Sequence, residues 1–115
     1  MKLKLLVIRT PDMQRLVDFY MLLGFSFDYH KHGSSPYHYS AIVDGTVIEV
    51  YPLAKSQTEA DSKLRLGFEL DDFDKAISLL KEADVQFISE PIQTDFGFMA
   101  VVVDPDGRRV EIYKK

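Results

Sequence analysis

Asp104-Pro105-Asp106-Gly107-Arg108-Arg109-Val110-Glu111-Ile112-Tyr113 reads as a tight turn followed by a strand, and Asp44-Gly45-Thr46-Val47-Ile48-Glu49-Val50-Tyr51 is an earlier copy of it. In each stretch a lone glutamate stands four residues after the turn glycine, between β-branched residues, and a tyrosine follows two residues later. Strand side chains alternate between faces, so Val47, Glu49 and Tyr51 share one face while Ile48 and Val50 take the other. Arg109, Glu111 and Tyr113 separate from Val110 and Ile112 in the same way. A carboxylate and a phenol on one side of a sheet whose other side is aliphatic predict a polar concavity lined by that sheet.

Working outward, the match extends to most of the chain. A shift of sixty positions carries Met13, Leu16, Val17 and Tyr20 onto Phe73, Ala76, Ile77 and Leu80, two stripes at helical spacing. It also carries Asp12 onto Asp72, Phe25 onto Val85, Phe27 onto Phe87 and Asp44 onto Asp104. The last turn is longer in the second copy, so Glu49 corresponds to Glu111. Leu3 to Arg9 reads as a strand, and Thr10-Pro11-Asp12 opens a helix with Thr10 as its N-cap. Gly24 ends that helix, Phe25 to His30 is a second strand, and Asp44-Gly45 is the favoured two-residue type I′ hairpin turn. Residues 1–52 thus form one βαβββ unit, 53–63 a polar linker, and 64–115 a second unit. Each unit has too few strands to bury its own face. The fold class expected is α+β in a single domain: a curved, eight-stranded mixed sheet around a cavity, with the helices on its convex side.

The bulk properties remove several classes of function. The 115 residues suit one domain, and a net charge of −4 with no basic cluster argues against binding nucleic acid. With no cysteine, disulfides, thiolate metal sites and cysteine nucleophiles are excluded. The apolar N-terminal run is cut short by Arg9 and Pro11, so neither a membrane span nor a signal peptide is expected and the cytoplasm is the default location.

Register then selects candidate site residues. If Asp44-Gly45 is the turn, Val43 pairs with Thr46, which sets Ser40 opposite Glu49 and His38 opposite Tyr51 on one face. With Leu6 and Ile8 toward the helix, Leu5 faces the other way, and the sixty-residue shift puts Arg65 at its place. Leu5, Glu49, Arg65 and Glu111 converge on this reading. His30 and His32 flank a loop and are expected in solvent.

Two βαβββ units, the Asp-Pro-Asp-Gly turn before Val110-Glu111-Ile112-Tyr113, the Leu23-Gly24-Phe25 helix end and Phe68-Glu69-Leu70-Asp71-Asp72 together resemble the vicinal oxygen chelate superfamily. That superfamily includes glyoxalase I, bleomycin-resistance proteins, fosfomycin-resistance enzymes and extradiol dioxygenases. In its metal-dependent members each unit supplies ligands from its first and last strands, places held here by Leu5, Glu49, Arg65 and Glu111. Leucine cannot bind a metal, and arginine is a permanent cation without an acceptor. The resemblance therefore implies a small-molecule-binding protein, homodimeric and without a divalent metal, whose ligand contacts His38, Ser40, Glu49, Tyr51, Arg65, Glu111 and Tyr113. No catalytic residue is assigned and no cofactor is expected. The alternative is a metal-dependent lyase, isomerase or dioxygenase with a shifted ligand set of His38, Glu49 and Glu111 around Ni, Zn, Fe or Mn. A structural ion pair between Arg65 and the glutamates competes with both.

Overall fold

The structure is a computed structural model that describes Met1–Lys115. Its elements follow the repeat: β1 (Leu5–Thr10), α1 (Met13–Leu22), β2 (Asp28–His30), β3 (His38–Val43) and β4 (Thr46–Pro52), then β5 (Leu66–Leu70), α2 (Phe73–Glu82), β6 (Phe87–Thr94), β7 (Gly97–Val103) and β8 (Arg109–Lys114). The eight strands hydrogen-bond as two mixed sheets of four, in the orders β1-β4-β3-β2 and β5-β8-β7-β6. The chain makes two compact units, Met1–Met21 with Phe25–Ala60, and Leu22–Gly24 with Asp61–Lys115. No helix is long and apolar enough to cross a membrane.

In the first unit, β1 runs parallel to β4 and β3 antiparallel to it, with Val43 paired to Thr46 and Ser40 to Glu49. The type I′ turn sets this register: Asp44 and Gly45 both have positive φ, at 48° and 82°. Ile8, Leu16, Val17, Tyr20, Ala41, Ile48 and Val50 are buried as the core of this unit. The Tyr39 hydroxyl donates to Gln14 Oε1 on α1. Met13 sits half-buried at the edge of the helix stripe.

The second unit repeats this plan. Leu70, Phe73, Ala76, Leu80, Ala100, Val102, Val110 and Ile112 are buried, and Ile77 is half-buried like Met13. Val103 pairs with Arg109, so the hairpin loop here is Asp104 to Arg108. That longer loop folds around a cation. The Arg108 guanidinium, 1% exposed, donates to Asp104 Oδ2 at 3.2 Å and to Asp106 Oδ2 at 3.0 Å. Asp104 Oδ1 accepts from the backbone N–H groups of Asp106 and Arg108.

Two local expectations are corrected. The cap of α1 is Asp12, not Thr10: Asp12 Oδ1 accepts from Arg15 N–H, while Thr10 Oγ1 accepts from Asp12 N–H. Asp72 caps α2 in the same way through Lys75 N–H, so both helices start on the equivalent aspartate. The second strand is short, beginning at Asp28, because Phe25 and Phe27 stack on each other and Phe25 packs on Tyr20 instead of pairing in the sheet. The eight strands of the expected α+β fold of two βαβββ units hydrogen-bond as one sheet of four in each unit.

The buried Arg108 cluster makes a stability prediction. Asp104→Ala leaves a buried guanidinium short of one carboxylate and two N–H groups without their acceptor, which should cost about 3 to 5 kcal/mol. Urea unfolding of the two proteins measures this, and a loss below about 1 kcal/mol, the scale of an exposed ion pair, would contradict it.

Candidate functional site

Each unit sets its glutamate on the sheet face away from its helix. On β1 the burial alternates, with Ile8 and Thr10 buried and Leu5 and Val7 exposed. Cross-strand pairing then places Val7 beside Glu49, Glu49 beside Ser40 and Ser40 beside Asp28, a row running across all four strands of the sheet.

The neighbouring row holds Arg9, Tyr51, His38 and His30. Arg9 pairs with Tyr51 and His30 with His38, and the rings of His38 and Tyr51 stack with centroids 4.1 Å apart. The Arg9 guanidinium carbon lies 5.1 Å from the Tyr51 ring centre, and Arg9 Nη1 donates to the Pro52 carbonyl. His38 is fully buried. Its Nδ1 is 3.0 Å from the Pro36 carbonyl oxygen, and its Nε2 is 3.2 Å from Glu49 Oε2. The Nε2 contact lacks hydrogen-bond alignment, so this buried nitrogen has no hydrogen-bond partner. His30 and His32 complete the group. Their rings lie 4.8 Å and 5.2 Å from that of His38, and donor atoms from all three histidines and Glu49 fall within 4.8 Å of one another. His32 is exposed as expected, whereas His30 is half-buried against His38.

In the second unit the expected charge pair is present. Arg65 Nη2 donates to Glu111 Oε2 at 2.7 Å, and the Tyr113 hydroxyl donates to Glu111 Oε1 at 2.5 Å. Both carboxylate oxygens are therefore engaged by protein donors. Hydrogen bonding to Glu111 is the main reason the Tyr113 phenol is pushed up from its ordinary value, with partial burial and the carboxylate's negative charge adding to it. The row beside Glu111 differs from its counterpart. Glu69 pairs with Tyr113, Tyr113 with Met99 and Met99 with Ile92, so this unit has a thioether and an alkyl group where the first has two imidazoles.

Of the expected site residues, His38, Ser40, Glu49 and Tyr51 are therefore neighbours in the first unit, and Arg65, Glu111 and Tyr113 in the second. Arg65 is paired with Glu111, and Glu49 Oε2 has His38 Nε2 as its polar neighbour. Sequence reasoning missed His30 and His32. The signal available was that three histidines fall within nine residues.

The fold and its paired glutamates define a βαβββ-repeat protein. The sequence matches the Glyoxalase/Bleomycin resistance protein/Dioxygenase superfamily over residues 2–112, and the chain belongs to that superfamily. No curated protein matches the sequence. Among solved structures, TnmS3, an antibiotic binding protein from Streptomyces sp. CB03234, is 23% identical with a TM-score of 0.75, over 99% of this chain and 95% of its own. Oxidase ChaP-H2 is 19% identical with a TM-score of 0.80, over 100% and 94% of the two chains. A glyoxalase/dioxygenase from Nostoc punctiforme is 20% identical with a TM-score of 0.77, over 99% and 90%. These likenesses show the fold.

The Tyr113 bond predicts a pH effect with a definite sign. A phenol whose folded-state pKa lies above the ordinary value of about 10 stabilises the fold below that pH, and the contribution is lost as pH rises through the folded value. Following Tyr113 Cζ by NMR should show ionisation above that of a free tyrosine, and Glu111→Ala should remove most of the upward shift. An unchanged titration in the variant would contradict the assigned cause.

Proposed function

We propose that the chain binds a small organic molecule on the polar faces of its sheets, as a protein of the bleomycin-resistance kind, with Arg65 standing in for a divalent ion at the superfamily's ligand positions. One observation carries this reading. Glu111, the position from which metal-dependent relatives supply a carboxylate, has one oxygen bonded to Arg65 and the other to Tyr113. Leu5 and Arg65, at the first-strand positions, offer no electron pair to an ion. The guanidinium is 57% exposed, and a fork with five donors retains several for a ligand oxygen after binding Glu111. A carboxylate or polarised carbonyl on the ligand fits such a fork, with Tyr113 beside it. TnmS3, an antibiotic binding protein of this fold, supports a small organic ligand.

The second reading is a metal-dependent lyase, isomerase or dioxygenase with a shifted ligand set. The grouping of His30, His32, His38 and Glu49 favours it. Glu111 does not, since its oxygens are taken.

The proposal includes a homodimer in the cytoplasm. Leu5, Val47 and Ile42 form an apolar row across β1, β4 and β3, and Leu5 and Ile42 are 50% and 75% exposed in the single chain. A second copy is the occupant that would cover them. Sedimentation at micromolar concentration should show a dimer, and Ile42→Asp should shift it toward monomer. A clean monomer of the natural protein would contradict the dimer.

Titration of isotope-labelled protein with benzoate and with bleomycin tests ligand binding. Saturable movement of the Arg65, Glu111 and Tyr113 signals is expected with at least one probe. Arg65→Ala should weaken that probe about tenfold or more, the scale of one charged hydrogen bond. Absence of any effect on these signals from both probes would count against the reading.

A further inference from the structure

The sequence contains three histidines, and the fold brings all three to one carboxylate. We propose that His30, His32, His38 and Glu49 form a binding site for one divalent transition-metal ion of the zinc or nickel type, held wholly within the first unit. Three of these four residues lie outside the positions from which the superfamily's metal-dependent members take their ligands, and the site stands independently of the ligand-binding reading above.

The argument starts at His38. Its Nδ1 faces a carbonyl oxygen, which only accepts, so the proton of a neutral ring sits on Nδ1 and is donated to Pro36. Nε2 is then left with an exposed electron pair in a fully buried ring, with no hydrogen-bond partner. The nearest polar atom is Glu49 Oε2 at 3.2 Å, a second electron-pair donor. Two such atoms facing each other in a buried place are satisfied by a positive charge between them, a proton or a metal ion, and the two further imidazoles beside them make up the donor set of a metal ion. A backbone carbonyl on the far nitrogen is also the arrangement that fixes the tautomer and aim of a metal-binding imidazole.

The donor set decides which ion. Three imidazoles and one carboxylate suit zinc, nickel or copper, while magnesium and calcium favour all-oxygen sites. Ligand atoms around tetrahedral zinc at about 2.0 to 2.1 Å stand about 3.3 Å apart. The four donors here already lie within 4.8 Å of one another. His38 and Glu49 are near the bound spacing, and the exposed His32 side chain has the freedom to close the remainder. The second unit offers no counterpart, because Met99 and Ile92 occupy the places of His38 and His30.

The full chain, stripped with a chelator, is titrated calorimetrically with Zn²⁺, Ni²⁺ and Mg²⁺, and X-ray absorption is measured at the zinc edge. One equivalent of Zn²⁺ or Ni²⁺ should bind, Mg²⁺ should not, and the zinc spectrum should show imidazole ligands. His38→Gln should weaken zinc about a hundredfold. As His38 is buried, His32→Ala at the exposed member provides the variant that leaves folding intact, and it should weaken zinc about tenfold or more with the metal-free melting temperature unchanged. Failure to bind zinc, an oxygen-only ligand shell, or unchanged affinity in both His30→Ala and His32→Ala would overturn the proposal.

Discussion

A carboxylate on the inner face of a sheet must find a cation or a set of donors, and each βαβββ unit of this chain carries one such glutamate on its last strand. The need follows from solvation: an ionised group removed from water without a partner is costly enough to neutralise or to rearrange its surroundings. The Glu49 side chain is 12% exposed and that of Glu111 is 29% exposed, so the demand is sharper in the first unit. The two units answer it differently. In the second, Arg65 and Tyr113 take one oxygen each. In the first, Glu49 faces a buried imidazole nitrogen and two further histidines, the set of donors proposed to hold a metal ion.

This divergence is imposed on a closely repeated scaffold. The helices α1 and α2 start and end sixty residues apart, both on an aspartate cap. Asp84, with φ of 56°, takes the left-handed position that Gly24 takes after the first helix. Pairing repeats as well, since Arg9 and Glu69 each lie beside the tyrosine that follows the glutamate. What changed is a handful of side chains in two rows: His38 for Met99, His30 for Ile92, and Arg9 for Glu69. The first row carries two imidazoles, and the second a thioether and an alkyl group in their places. The differences at these places give the sheet faces of the two units distinct chemistry.

Much of this was legible in the sequence because it depends on local rules. The Asp44-Gly45 turn dictates the hairpin register, and from that follow the pairing of Ser40 with Glu49 and the contact of His38 with Tyr51. Arg65 was legible as the partner of Glu111 through the sixty-residue shift. The histidine cluster was not. His30 meets His38 through the pairing of β2 with β3, and the seven residues between those strands contain no turn that fixes a register in advance. The early end of β2 was hidden for a similar reason, because stacking of Phe25 and Phe27 overrides strand propensity. The sequence does not rank Thr10 and Asp12 as caps of α1, since both residue types cap well, and the bonds from Arg15 N–H to Asp12 and from Asp12 N–H to Thr10 decide for Asp12.

The account holds that Arg65 takes the place of an ion at Glu111 in the second unit, while the histidine cluster holds one at Glu49 in the first. Calorimetric titration of Ni²⁺ into the natural protein and into Arg65→His measures this division directly. The natural protein should take up one equivalent, and the variant, having lost a repelling guanidinium and gained an imidazole beside Glu111, should take up a second. A single equivalent bound tightly by the natural protein and lost on Glu111→Ala would show that Glu111 is itself a ligand and would contradict the account.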